Sequence, residues 1–134
     1  MRLRILLVAV GIVQLVLGLA YLFVPHALLQ WMGHSLPAAD INYPFGMLAA
    51  RFIAYGLGMF VIAQAPAQHE FWIRNMVLIQ VIDLAVGLFY TLTGIVSLQL
   101  SAFPMFNAAL IAALLWSWRP KSATTLAPGM NESA

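Results

Sequence analysis

The 134-residue chain contains no cysteine. That absence excludes disulfides, thiol redox chemistry, Cys-ligated zinc and iron–sulfur clusters together. Charge is nearly as scarce. Only 7% of residues are charged and 63% are hydrophobic, whereas an ordinary soluble domain is about 25% charged. A chain of this composition cannot cover a water-facing surface, and at this length one domain is expected. No Gly-rich phosphate loop, nucleophile elbow or HExxH motif is present, so the common nucleotide, hydrolase and metalloprotease chemistries have no carrier. None of the three histidines falls in the middle of an apolar run, which argues against bis-histidine haem ligation. His26, His34 and Asp40 share no metal-ligand spacing. Neither a metal nor a cofactor is expected. The net charge of +2 comes from basic residues beside hydrophobic segments. They read as topology signals rather than a phosphate-binding patch, so no nucleic-acid partner is expected.

What fills the chain is apolar sequence. Four stretches, 5–24, 45–64, 72–92 and 98–118, each approach the length of about 20 residues that a helix needs to span hydrocarbon. The first and fourth carry no charge, the second holds Arg51, and the third holds Asp83. In lipid a backbone must satisfy its own hydrogen bonds, so these stretches predict helices. Met1–Arg4 followed by an apolar run also resembles a signal peptide. The run exceeds a typical h-region, and no small-x-small site follows it, so an uncleaved first helix is expected. The fold class predicted is all-α: an integral membrane four-helix bundle within 1–120, followed by a disordered tail over 121–134 rich in Ser, Thr, Ala and Pro.

Orientation follows from Lys and Arg. Arg2, Arg4, Arg74, Arg119 and Lys121 fall on one side of four spans, while 25–44 and 94–97 carry no Lys or Arg. The positive-inside rule places that basic side, and with it both termini, in the cytoplasm. Trp31, Tyr43 and Phe45 mark the outer interface, and Trp72, Trp116 and Trp118 the inner one. In the outer segment, Pro25 opens and Gly33 follows a run containing Leu28, Leu29 and Met32. Pro at a helix start and Gly past its end predict a short interfacial helix. A lid over a binding site is the sharper alternative.

Helix packing in lipid favours small residues at the contact. Ala50, Ala54 and Gly58 recur at four-residue spacing and predict the packing face of the second span. Ala108–Ala112 and Ala109–Ala113 repeat the spacing in the fourth. Gly11 and Gly18, like Gly87 and Gly94, stand seven apart on one face.

Arg51 and Asp83 are the most informative residues. A charge at the centre of a spanning helix costs about 2.5–3.5 kcal/mol on insertion scales, so it needs a partner or a use. Asp83 falls near the middle of its span and Arg51 roughly 6 Å further out. If the second and third spans are antiparallel neighbours, the two charges form a salt bridge. Otherwise Arg51 snorkels to the headgroups and Asp83 is protonated, or both serve binding or proton transfer. Gln14 in the first span and Asn107 in the fourth lie near the same depth, and Tyr55 is one turn from Arg51. Together Gln14, Arg51, Tyr55, Asp83 and Asn107 predict a polar belt. It reads as structural glue or as a cavity for the headgroup of a quinone, sterol or lipid. Glu70 and Arg74, four apart, predict an intrahelical pair.

Four short helices, a Gly-bearing first span, the Pro25-to-Gly33 segment and Ala50-Arg51 entering a Gly-rich second span resemble the DoxX-like group of small bacterial membrane proteins, over roughly 3–118. The resemblance implies a four-helix bundle in a bacterial cytoplasmic membrane. Some members are linked to quinone-dependent oxidation systems as accessory subunits. No catalytic residue carries over, and only Arg51 matches a position of the pattern. The function expected is a non-catalytic accessory or scaffolding subunit, with the bilayer and a membrane-protein partner or a second copy as its contacts. Two alternatives stand beside it. One is a binding protein or enzyme for a lipid-like or quinone ligand at the polar belt. The other is a small oligomeric proton-coupled transporter resembling the small multidrug transporters, although here the carboxylate lies in the third span and the charge bias opposes dual topology.

Overall fold

A computed structural model gives the fold of residues 1–120. The tail expected to be disordered, 121–134, lies outside these described residues. Among them the chain is all-helical, without strands. It forms α1 (Arg2–Phe23), α2 (Pro25–Trp31), α3 (Asn42–Gln64), α4 (Glu70–Leu92) and α5 (Leu98–Trp118), with short 3-10 turns at Ala39–Ile41 and Pro66–Gln68. By length and composition α1, α4, α5 and the stretch Ala39–Gln64 can each cross a membrane. α5 has the bounds expected of it. α1, α3 and α4 begin two or three residues earlier, because apolar content cannot register polar first turns. Glu70 opens α4, where its charge suits the helix N-terminus and binds Arg74 at 2.7 Å.

Helix ends follow their local chemistry. Pro25 opens α2, where a missing N–H costs nothing. Beyond α2, Gly33 takes φ +84°, with its N–H on the Gln30 carbonyl and that of His34 on the Leu29 carbonyl. Gly94 closes α4 in the same way, at φ +75°, with bonds to the Thr91 and Tyr90 carbonyls. Both are stops that need a left-handed residue at C′.

The four long helices pack as two pairs. α1 lies along α3, and α4 along α5. Contacts between residues 11 and 56 and between 18 and 49 show that α1 and α3 run antiparallel. A Cβ added at Gly56 would stand 3.0 Å from the Gly11 carbonyl, and one at Gly18 would stand 2.8 Å from Ile53 and 3.1 Å from the Ala49 carbonyl. Backbones this close tolerate only small residues. Further along, Tyr21 stacks on Phe52 at 6.0 Å and tilts against Phe45 at 5.5 Å. In the second pair, Met105 covers Gly87, and the Thr91 and Ser101 hydroxyls meet at 2.7 Å.

The pairs join at the end where α1 begins and α5 ends, here called proximal. Leu7 and Val10 of α1 meet Met59, Ile62 and Ala63 of α3, Ile73 and Met76 of α4, and Leu115 of α5 in one buried cluster. The meeting of late α3 with early α4 shows that chain direction alternates.

Two expectations are corrected. Ala50 and Ala54 are exposed, and Gly58 has no neighbour within 4 Å of an added Cβ. That stripe is therefore not the packing face of α3 within this chain. Ala49, Gly56 and Met59, buried on the adjoining face, are. The sequence neighbours α3 and α4 also fail to pack along their lengths. Glycines let α1 approach α3 closely, whereas the bulky Tyr55 and Trp72 stand in the α3–α4 interval.

Candidate functional site

The interval between α3 and α4 is the feature that gathers chemistry. A groove of about 420 Å³ opens there, walled by Ala54, Tyr55 and Gly58 of α3 and by Trp72 of α4, with His69 at its proximal end. The Tyr55 hydroxyl spans it at one level, accepting a hydrogen bond from Asn75 Nδ2 at 3.2 Å.

Helix periodicity extends both walls of this groove. Arg51 lies seven residues before Gly58, and Asp83 eleven after Trp72. At 3.6 residues per turn each charge falls within about 20° of the residue named, on the same wall. Their places along the two helices can be counted from the distal ends. Arg51 follows Asn42, the start of α3, by nine residues (51 − 42), and Asp83 precedes Leu92, the end of α4, by nine (92 − 83). By helical rise alone each lies about 14 Å below the distal end of its helix. The Tyr55–Asn75 hydrogen bond sets the register between the helices, with Arg51 four residues distal of Tyr55 and Asp83 eight residues distal of Asn75, so Asp83 stands about one helical turn beyond Arg51. Arg51 and Asp83 do not pair. Both are exposed, and neither has a hydrogen bond or ion pair among the described residues.

The other belt residues sit elsewhere. Gln14 is buried, and its amide points to Met76 Sδ at 3.9 Å. Asn107 on α5 is half-buried, without a side-chain hydrogen bond among the described residues. The five residues do not meet in one belt. Instead, Gln14 links α1 to α4, Tyr55 links α3 to α4, and Arg51 and Asp83 stay exposed and unpaired among the described residues.

Several polar residues outside the predicted set make these links. Gln80 is buried and, like Gln14, donates to Met76 Sδ, at 3.7 Å. Two carboxamides thus share one thioether, a weak acceptor. Asn75 and the Thr91–Ser101 pair complete the interhelical bonds. Gln80 and Asn75 carried the same signal that marked Gln14, an uncharged polar side chain inside an apolar run. Met76 carried none. His26, His34 and Asp40 do not converge, and no group of three His, Asp or Glu among the described residues could hold a metal.

Compared with protein-family models, with curated proteins and with solved structures, the chain matches none.

Proposed function

We propose that this protein is a four-span membrane subunit without catalytic chemistry of its own, and that its α3–α4 face docks a protein partner inside the bilayer. Both chain ends lie in the cytoplasm in this reading, since the proximal end carries Arg2, Arg4, Arg74 and Arg119 and the distal segments carry no Lys or Arg. Exposed Trp72, Trp116 and Trp118 at one end and Trp31 and Tyr43 at the other supply aromatic girdles. At the proximal end Arg119 also lies over the Trp116 ring at 3.4 Å. The resemblance to DoxX-like proteins fits an accessory role in a bacterial cytoplasmic membrane.

The observation that carries the proposal is the unpaired state of Arg51 and Asp83. Ionisable groups at this depth are expensive, and are kept where they pair or work. A lipid-facing pair of lone charges would be unstable, so something other than acyl chains covers them. No group of His, Asp or Glu that could hold a metal accompanies them among the described residues. A second reading has its own support: the groove beside Tyr55 and Trp72 fits a lipid-like or quinone ligand.

Gentle-detergent purification and native mass spectrometry of wild type and Asp83→Asn tests the proposal. Protein-only assemblies above the 14.7 kDa monomer mass, weakened in the variant, are the expected result. A small molecule retained by wild-type monomer and lost from Asp83→Asn would replace the docking role with a ligand site.

A further inference from the structure

The docking face can be assigned an occupant, on the premise that the α3–α4 face is covered by protein. By helix periodicity each chain contributes to this face one cation, Arg51 on α3, and one anion, Asp83 on α4, both exposed and unpaired among the described residues. The set is self-complementary, so a partner carrying one acid and one base at the same depth neutralises it completely. The chain itself is such a partner. A twofold axis along the membrane normal leaves the depth of every residue unchanged. Because Arg51 and Asp83 stand within about one helical turn of each other's level, that axis keeps each within reach of its opposite in a second copy, a gap that the long arginine side chain spans. An isologous contact then forms both pairs at once, since residue i meets j while j meets i.

We propose that a second copy of this chain covers the face, with Arg51 of each copy paired to Asp83 of the other. The small residues left open on α3 fit the same contact. Ala50, Ala54 and Gly58 have no packing role within the chain, yet small residues at four-residue spacing allow close approach of helices from different chains. A different protein would have to bring its own acid and base at matched depth.

The test uses the full chain, purified and reconstituted into phosphatidylethanolamine–phosphatidylglycerol vesicles. A single label site, Gln68→Cys, serves for energy transfer between donor- and acceptor-labelled copies. Wild-type copies should show transfer above the random-encounter level. Arg51→Asp copies alone, or Asp83→Arg copies alone, should associate at least about tenfold more weakly, because each contact becomes repulsive. Mixing donor-labelled Arg51→Asp with acceptor-labelled Asp83→Arg should restore transfer, since one pair re-forms with its charges exchanged and the other as in the wild type. An intrachain pair could not be rescued by mixing, so failure of rescue beside associating wild type would overturn the proposal.

A second variant guards against misfolding of the charge reversals. Ala54→Cys in an otherwise wild-type chain should form a disulfide-linked dimer on mild oxidation, while Val16→Cys, on the exposed side of α1, should not. Absence of the Ala54 cross-link would overturn the proposal independently. If wild-type copies do not associate, yet native mass spectrometry shows a different protein released by Asp83→Asn, self-association falls and the docking role survives. If neither occurs, both fall.

Discussion

At the scale of single residues, the decisive contrast is between Gly56 and Gly58. They are two positions apart on α3 and equally small, but only Gly56 meets a neighbour. Gly56→Leu should destabilise the α1–α3 pair by about 1–3 kcal/mol, the usual cost of overpacking, because the Gly11 carbonyl cannot move aside as a side chain would. Gly58→Leu should leave the monomer's stability unchanged. Unfolding in mixed micelles, followed by circular dichroism, checks both; equal losses would mean that Gly58 also packs inside the chain. Tyr55→Phe removes the acceptor of Asn75 and should cost about 0.6 kcal/mol, the average for an interhelical hydrogen bond in a membrane protein. The buried glutamines behave differently. Among the described residues each donates only to the Met76 thioether, a weak acceptor, so little is lost when both amides become apolar. The double variant Gln14→Leu, Gln80→Leu should match or exceed wild-type stability in the same assay. A loss of several kcal/mol would show that these amides hold a ligand or water that the protein needs.

At the scale of elements, the helices were legible in the sequence, and their faces were legible only in part. Apolar length and the Pro25 and Gly33 punctuation located all five helices, because lipid-compatible composition and helix stops are local properties. Gly11 and Gly18 read correctly as one contact face. The Ala50, Ala54, Gly58 stripe did not, since four-residue spacing marks a surface that permits close approach without saying which neighbour takes it. Partner choice depends on the other helix. Here α1 offers glycines to the face of α3 that contains Ala49 and Gly56, and α4, held off by Tyr55 and Trp72, leaves the Ala54 face open. The candidate site was legible to the same degree. Arg51 and Asp83 were visible as isolated charges in apolar runs, but their places relative to each other depended on how α3 and α4 pack, which lies outside either run. Gln80 escaped notice beside the stronger signal of Asp83. A test at this scale is the α4–α5 link. Thr91→Val removes the contact with Ser101, and should loosen that pair alone. Hydrogen exchange should rise in α4 and α5 while α1 and α3 keep their protection; a uniform rise would mean the two helix pairs do not act as separate units.

At the scale of the whole molecule, two tight helix pairs joined near one end leave a face that the chain does not close. Its composition is unusual for a surface meant for lipid, because it joins small residues, an aromatic ring and two opposite charges. That combination suits contact with protein. The cysteine-free sequence makes the direct measurement practical, since one introduced thiol is the only label site. A nitroxide at Gly58→Cys, in bilayers, reports collision with oxygen (which concentrates in lipid), and one at Val16→Cys on exposed α1 serves as the lipid-facing reference. Gly58 should be shielded from oxygen in wild-type background and become as accessible as Val16 when Asp83→Arg is added. Equal oxygen accessibility at Gly58 and Val16 without that change would mean that lipid covers the α3–α4 face, and would contradict its role as a docking surface.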